Sequence, residues 1–248
     1  MATATILFLN ITMSDIYILS IETATPLCSV SLAKNGVTLH EIVGEEPNMH
    51  ASSLTLFIDQ LLQKASLQMK DLSAIAVSKG PGSYTGLRIG VSVAKGLCYA
   101  LDIPMIANNT LDAMYHGFMA ISGELSDKTL LFPMIDARRQ EVYTQVLDSH
   151  AQVIETTKAL IVDATSFDSY LAEGYHLIFF GSGADKFDEQ FQANPAIQVA
   201  LGFDAKASFQ DALSYEKFQA GEFEDVAYFE PYYLKDFMVT APKKSPLL

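Results

Sequence analysis

The chain has few cysteines, no tryptophan and a shortage of basic residues. Its two cysteines, Cys28 and Cys98, stand in apolar runs without metal-ligand spacing. We therefore expect buried thiols in a reducing compartment, not a disulfide. Sixteen Lys and Arg against 29 Asp and Glu give the 248 residues a formal net charge of −13. This charge argues against a broad nucleic-acid footprint, because phosphates would be repelled over most of the surface.

The patterns of a zinc helix and of a membrane span are also lacking. The five histidines never stand four residues apart, so no helix presents two imidazoles on one face, and we predict no metal. The apolar run at residues 4–11 is too short to span a bilayer and lacks the basic leader of a signal peptide. A strand-like sequence begins just after Asp15. Residues 1–13 are therefore predicted to be an N-terminal extension, with an added edge strand as the alternative.

The apolar patterning predicts the same order of elements twice. The first half has three strands, a helix, a strand, a helix and a strand, at residues 16–21, 28–34, 37–43, 54–65, 74–78, 85–101 and 103–107. The second half has the same series at residues 130–136, 141–148, 152–156, 165–172, 176–180, 185–192 and 197–200. A matching order suggests duplication and a two-lobed α/β protein, in which each lobe is a mixed sheet with helices.

The lobes follow from this order. Residues 14–112 are expected to form the N-terminal lobe and residues 113–204 the C-terminal lobe. Residues 205–248 then supply a late helix, near 206–220, and a tail, which could return to the N-terminal lobe. The charge is uneven, because most of the acidic excess lies after residue 100. The nearly neutral first part is the better candidate for a partner surface, since interface centres are poor in charge.

Residues 80–90 read Gly-Pro-Gly-Ser-Tyr-Thr-Gly-Leu-Arg-Ile-Gly and form the most informative motif. Glycines between a strand and a helix let the backbone approach another body and leave N–H groups at the helix entrance. The block is either an anion site or a tight docking surface. An orthodox nucleotide loop is excluded, because the Walker lysine and the dinucleotide glycine spacing are missing. The residues that would contact an anion or nucleotide are Gly80, Gly82, Ser83, Thr85 and Arg88.

The helix predicted at residues 85–101 is apolar on two faces, so both faces must be covered. Its own sheet can cover one face, and a partner could cover the other. Small residues four apart form a smooth row for close packing, although each helical glycine costs roughly 1 kcal/mol relative to alanine. Packing within the same lobe is the alternative. The predicted partner interface comprises Gly86, Ile89, Gly90, Val93, Ala94 and Leu97.

Two turns after predicted strands carry side chains that could handle a metal-bound phosphate. The first is Glu22-Thr23-Ala24-Thr25, with Glu22, Thr23 and Thr25 as candidates, and the second holds Asp136 and Arg138 at the equivalent place in the other half. Simple turn capping by these residue types is the alternative. A short Gly181-Ser182-Gly183 turn after the strand at 176–180 could serve the adenosine side of such a site, or be a plain loop.

Together these motifs resemble the TsaB family of bacterial tRNA threonylcarbamoyladenosine biosynthesis proteins. The resemblance runs from about residue 16 to the C-terminus, and the glycine block is its most specific part. The matching stretches are Ile21-Glu22-Thr23-Ala24-Thr25, Cys28-Ser29-Val30, residues 80–90, Ile135-Asp136-Ala137-Arg138, Glu141-Val142-Tyr143 and Glu230-Pro231-Tyr232-Tyr233-Leu234.

The resemblance implies a cytoplasmic, non-catalytic subunit with the kinase/Hsp70/actin-like (ribonuclease H-like) double lobe. Family members are scaffolds for a related subunit, TsaD, which binds metal through histidines and transfers threonylcarbamoyl to the adenosine 3′ of the anticodon. A TsaE ATPase binds at the junction. The implied contact with TsaD uses the helices near 50–65 and 85–101, which also form a homodimer when the chain is alone. No cofactor is implied for this subunit, an ATP-derived nucleotide is expected at the complex junction, and tRNA binds only within the complex.

Two departures from the wider superfamily are visible. Glu22 stands where aspartate is usual in the first phosphate hairpin, and Gln140 stands where glycine is common. The first departure weakens the rival interpretation, a metal-dependent ATPase or small-molecule kinase that would use Glu22, Thr23, Asp136 and Gly181. A glycoprotein endopeptidase is an old label for the relatives. This chain lacks the histidine pair that such an enzyme would need.

Overall fold

The computed structural model describes residues 15–44 and 50–235. The predicted extension at residues 1–13 and the final stretch, 236–248, lie outside the described residues. Within the described parts, the predicted order of strands is found in both halves, and both cysteines are buried free thiols, as expected.

The N-terminal lobe is a five-stranded mixed sheet with two helices on one face. Its elements are β1 Tyr17–Glu22, β2 Ser29–Lys34, β3 Val37–Val43, α1 His50–Ala65, β4 Ala74–Gly80, α2 Tyr84–Leu101 and β5 Met105–Asn109. The strand order is β3-β2-β1-β4-β5, in which β4 and β5 run parallel to β1. Asn35 and Gly36 both have positive φ, so the predicted hairpin between β2 and β3 is confirmed.

The C-terminal lobe repeats this plan. Its elements are β6 Thr129–Asp136, β7 Glu141–Asp148, β8 Val153–Ile161, α4 Asp168–Ala172, β9 His176–Phe180, α5 Asp188–Phe191 and β10 Ile197–Ala200. Read from the other edge, its order is β8-β7-β6-β9-β10, which is the order of the first sheet. The predicted duplicated, two-lobed α/β fold is therefore confirmed.

The structure also corrects several sequence-based boundaries. A helix, α3 Thr110–Ser122, occupies the stretch that the apolar pattern left as a boundary between the lobes. It begins where the Asn109 side chain accepts a hydrogen bond from the Leu111 N–H and ends before Gly123, which has φ +72°. Leu111, Met114, Tyr115 and Phe118 recur in it at i, i+3, i+4 and i+7, a helical period that the boundary assignment overlooked. The helix expected at 165–172 is limited to α4, and the one at 185–192 is a 3₁₀ turn followed by α5.

Two helices cover sheets in the opposite halves of the chain. Helix α3 follows the N-terminal sheet, but its apolar side packs on the C-terminal sheet, where Phe118 stacks on Phe180 at 4.2 Å between ring centroids. Helix α6, Asp211–Ala220, follows the C-terminal sheet and packs on the N-terminal one through Tyr215 and Phe218. The two lobes are thereby interlocked.

A polar seam fixes α6 on the N-terminal sheet. The buried carboxylate of Asp211 accepts hydrogen bonds from the hydroxyls of Ser20, Ser31 and Thr38 at 2.6–2.8 Å. Burial raises the pKa of this carboxyl to about 6, although the three hydroxyls lower it. The sheet face beneath α6 therefore binds the helix through hydrogen bonds as well as through apolar packing. Across residues 15–44 and 50–235, no helix combines the length and apolar character needed to cross a membrane.

Candidate partner surface and strand-end motifs

The glycine loop between β4 and α2 is packed against the chain itself. A Cβ on Gly82 would lie 2.4 Å from the Ala24 carbonyl oxygen, and one on Gly80, which has φ +108°, would lie 2.8 Å from the Tyr232 carbonyl oxygen. The Ser83 N–H donates to Ala24 O at 2.7 Å, while the Ser83 hydroxyl caps α2 by accepting from the Gly86 N–H. The close approaches that these glycines permit are therefore intramolecular. Thr85 and Arg88 are exposed beside the loop.

The small-residue row of α2 also faces inward. Gly86, Gly90 and Ala94 are buried, and a Cβ on Gly90 would lie 2.3 Å from the Thr23 Oγ1. For these three residues the structure favours packing within the lobe, which corrects their expected placement on a surface open to a partner. The physical reason is that β1 must end directly beneath the first turns of α2, and a larger side chain would push the helix away.

The outer face of α2 is the part that remains open. Ile89, Val93 and Leu97 are half-buried against the lobe core, and Gly96 lies among them with no atom near its missing Cβ. Two large apolar side chains of these helices are exposed: Leu56 of α1 at 52% and Tyr99 of α2 at 88%. An apolar face built from two neighbouring helices is a candidate protein-binding surface. We call it the α1/α2 face.

The first strand-end motif points into the lobe. Glu22 is fully buried, and its Oε1 accepts hydrogen bonds from the Ala24 N–H at 2.7 Å and the Ser78 hydroxyl at 2.8 Å. Its Oε2 is buried with no hydrogen-bond partner among the described residues. Burial raises the pKa of this carboxyl to about 7, despite those hydrogen bonds. With Thr23 and Thr25 buried beside it, Glu22 could contact a phosphate only if the lobe rearranged.

The second strand-end motif is exposed but already engaged. The Asp136 carboxylate accepts from the Arg138 N–H at 3.0 Å and from Lys186 Nζ at 2.5 Å. Its backbone N–H donates to the Ser182 hydroxyl at 3.4 Å. Gly181, with φ +104°, packs so closely that a Cβ would lie 2.3 Å from the Met134 carbonyl oxygen. The Gly-Ser-Gly turn thus abuts the end of β6, as the glycine loop abuts the end of β1.

The junction of the lobes is filled by an extended segment that follows α6. We call residues 224–235 the C-terminal strap. The strap begins at the β5 edge, where the Glu224 N–H donates to Met105 O, and reaches the glycine loop, where the Tyr232 N–H donates to Lys79 O at 2.7 Å. Lys95 holds it through the Ala227 and Phe229 carbonyls.

The strap ends in the other lobe, where Lys235 forms an ion pair with Glu141. A cavity of about 40 Å³ lies at the junction, between the strap, the glycine loop and Tyr143. That volume has room for a few water molecules and not for a nucleotide.

Sequence reasoning missed the residues that engage these motifs. Ser78, Lys186 and Lys235 lie 56, 50 and 94 positions from the carboxylates that they contact. No spacing rule connects such distant positions, because only the sheet order brings them together. The motif Glu230-Pro231-Tyr232-Tyr233-Leu234 supported the family resemblance, but nothing in its composition places it across the glycine loop.

The fold and these motifs define a class before any relative is considered. Two sheets of identical strand order, each ending in a turn with a carboxylate and a facing glycine turn, are the plan of the duplicated kinase/Hsp70/actin-like proteins. The class is a two-lobed α/β protein with that fold.

The comparisons with known proteins identify the family. A family model described as TsaD, tRNA N6-adenosine threonylcarbamoyltransferase, matches residues 45–235, which is more than half of the chain. The chain therefore belongs to that family, and its named relatives are TsaB proteins of tRNA threonylcarbamoyladenosine biosynthesis, as the motifs predicted. The TsaB protein of Escherichia coli (strain K12) is 36% identical over 126 residues, 51% of this chain and 52% of the relative.

A second relative and two solved structures agree. The TsaB protein of Bacillus subtilis (strain 168) is 37% identical over 127 residues, 51% of this chain and 53% of the relative. The chain thus spans about half the length of the curated relatives it matches. Two Pseudomonas aeruginosa structures share the fold at 24% identity: YeaZ, with a TM-score of 0.71 over 88% of this chain and 100% of the other, and a protein described as similar to peptidase YEAZ, with 0.73 over 89% and 100%.

Proposed function

We propose that this chain is a non-catalytic scaffold subunit in the formation of N6-threonylcarbamoyladenosine in tRNA. Its N-terminal lobe docks a TsaD-like catalytic paralogue through the α1/α2 face. The observation that carries this proposal is the open apolar face itself, with Leu56 and Tyr99 exposed and Gly96 leaving room for a close approach. Membership of the family, in which relatives are named as biosynthesis proteins of this modification, supports the same assignment.

The engagement of both strand-end carboxylates supports a non-catalytic role. Glu22 is enclosed by the lobe, and Asp136 is paired with Lys186. The rival assignment, a metal-dependent ATPase or small-molecule kinase, would require both carboxylates to be freed and the strap to leave the junction. Each of these changes breaks several of the hydrogen bonds described above.

The remaining parts of the proposal concern partners. A TsaE-like ATPase completes the assembly, and the chain forms a homodimer through the same face when it is alone. The subunit itself needs no cofactor, and an ATP-derived nucleotide binds at the junction of the complex. With a formal charge of −13, the isolated chain is a poor ligand for tRNA, which binds in the assembled cytoplasmic complex.

Substitution Gly96→Arg tests the docking face. The site has open space around it, and replacing a helical glycine improves helix propensity by roughly 1 kcal/mol, so folding should be retained. In a closed interface the same arginine would be buried without a partner, which is costly. We expect the affinity for the TsaD-like paralogue to fall at least about tenfold, measured by light scattering and titration calorimetry.

The matched control is Ala172→Arg, which adds the same charge at an exposed helical position of the C-terminal lobe. This variant should bind the paralogue like the unmodified chain. If Gly96→Arg melts normally and still binds with undiminished affinity, the α1/α2 face is not the docking surface.

A further inference from the structure

Basic residues gather at the junction of the two lobes, although the chain as a whole is acidic. Five of the 16 Lys and Arg residues belong to this group: Arg88, Arg138, Arg139, Lys186 and Lys235. The last four surround the turn between β6 and β7, and Arg88 approaches from the other lobe. We call these five residues the junction ridge.

The two arginines at the tip of the β6–β7 turn occupy a conformation that usually belongs to Asn or Gly. Arg138 has φ +72° and Arg139 has φ +52°, and the turn is closed by the Glu141 N–H donating to Arg138 O at 3.1 Å. Consecutive residues with a Cβ are unfavourable in this region, and such outliers cluster at functional positions. Both side chains are exposed, and no carboxylate pairs with either guanidinium in the part of the chain that the structure describes.

The two lysines of the ridge hold the base of the turn. Lys186 Nζ bridges the Asp136 carboxylate and the Glu141 carbonyl, at 2.5 and 2.7 Å, and Lys235 pairs with the Glu141 carboxylate. Their charges are thus largely compensated within the chain. No described carboxylate pairs with Arg138 or Arg139, so the turn presents two exposed guanidinium groups.

Arg88 extends the ridge across the junction. Its guanidinium rests 4.3 Å from the centroid of the Tyr84 ring, and its Nε donates to the Tyr233 hydroxyl at 3.2 Å. Tyr233 belongs to the strap, whose Lys235 contacts the turn described above. A continuous series of contacts therefore connects the basic groups of the two lobes.

We propose that the junction ridge binds the phosphate backbone of RNA in the assembled complex, with Arg138 and Arg139 as its main contacts. This inference rests on the proposed function and assigns a tRNA contact to this subunit. Exposed, unpaired guanidinium forks match phosphate oxygens in geometry and charge. A free nucleotide fits less well, because the arginines stand on a projecting turn and the adjacent cavity measures about 40 Å³.

The test uses the complex of the chain with its TsaD-like paralogue and unmodified tRNA. Binding is measured at several salt concentrations for the unmodified chain and for the double variant Arg138→Gln/Arg139→Gln, which keeps the Cβ atoms and the turn geometry. Loss of two phosphate contacts should weaken binding about tenfold or more at low salt. It should also make the slope of log K against log [salt] shallower by about 1.5.

The control variant is Lys70→Gln/Lys128→Gln, which removes the same charge from two exposed positions outside the ridge. If the control changes the salt slope as much as the arginine variant, or if the arginine variant leaves the slope unchanged, the ridge does not bind RNA. If the arginine variant loses the paralogue instead, the ridge is a protein contact and the proposal is overturned.

Assembly with the paralogue is measured separately by light scattering. If the unmodified chain fails to assemble, the proposed function fails, and the ridge is then tested on the isolated chain at low salt. The same difference in slope between the arginine variant and the control is expected there. Its absence would overturn the proposal that the ridge binds RNA, independently of the proposed function.

Discussion

Glu22 shows how the carboxylate at the end of a strand can be enclosed within the core of its lobe. Its carboxyl group is enclosed, it accepts hydrogen bonds from Ala24 and Ser78, and burial raises its pKa to about 7 from 4.5. The folded chain therefore binds a proton here more tightly than the unfolded chain. The stability contributed by that proton is present in full below about pH 4.5 and is lost as the pH rises to about 7.

Replacement of Glu22 by Gln should remove most of this pH dependence. The free energy of unfolding of the unmodified chain should fall between pH 5 and 8 by an amount on the order of 3 kcal/mol, because the carboxyl is forced to ionise while buried. The variant should lose much less over the same range, measured by urea unfolding at each pH. Asp211, whose pKa is about 6, adds a dependence at the lower end that both proteins share.

The exposed carboxylate of Glu189 provides the control, since Glu189→Gln makes the same chemical change outside the core, and its pH profile is compared with that of Glu22→Gln. Identical profiles for Glu22→Gln and the unmodified chain would show that this carboxyl is not protonated in the folded state. At this scale the sequence identified the unusual Glu22 and the glycines. It could not identify their neighbours, because Ser78 and Tyr232 reach them through the order of the strands.

At the scale of one element, two of the three glycines of α2 have opposite surroundings. Gly90 lies against Thr23, and Gly96 faces open space. The apolar periodicity predicts that both glycines lie in a packed helix, but it does not tell which of them faces the sheet. The structure separates them, because the sheet lies beneath Gly90 and no described residue covers Gly96.

Alanine substitutions at these two positions should therefore have effects of opposite sign. Gly96→Ala should stabilise the chain by about 1 kcal/mol through helix propensity. Gly90→Ala should destabilise it by about 1–3 kcal/mol, because the new Cβ would overlap a stiff, buried threonine. Thermal melts of the two variants measure both effects, and shifts of the same sign would contradict the inward packing of Gly90.

How well the sequence predicted each element differs from one element to the next. The hairpin at Asn35-Gly36 and the strands β3, β7, β9 and β10 were found at their predicted bounds. Turn chemistry marks the start of β3, and a short apolar run marks β9. Helix α3 was missed, although Leu111, Met114, Tyr115 and Phe118 recur at i, i+3, i+4 and i+7, which is the spacing of one apolar helical stripe. The periodicity of this helix was therefore present in the sequence, and the assignment of the stretch as a boundary between the lobes overlooked it.

At the scale of the whole molecule, the exchange of α3 and α6 joins the lobes. Each sheet is covered by a helix encoded in the other half of the chain. Loss of packing on either helix should therefore destabilise the sheet that this helix covers. The sequence predicted two lobes and their common order, but this exchange required knowing where α3 packs. Repetition of element order carries no information about which sheet a terminal helix covers.

Substitution Phe118→Ala, in a helix that follows the N-terminal sheet, should loosen the C-terminal sheet. The ring stacks on Phe180 of β9, and its removal leaves a cavity that should cost about 3–5 kcal/mol. We expect amide hydrogen exchange to accelerate in β6 and β9, measured by mass spectrometry. Ile121→Ala, on the same helix but 71% exposed, should leave exchange nearly unchanged. Loss of protection confined to β1–β5 would contradict the exchange.

The exchanged helices also bear on how such a chain could arise. A single ancestral half, with its closing helix extended away from its own sheet, would leave one sheet face bare unless a second copy supplied the missing cover. Two such copies, each packing its last helix on the sheet of the other, would bury both faces and form a domain-swapped dimer. Fusion of the two genes would then preserve that reciprocal exchange of helices inside one polypeptide. This is the arrangement that α3 and α6 display.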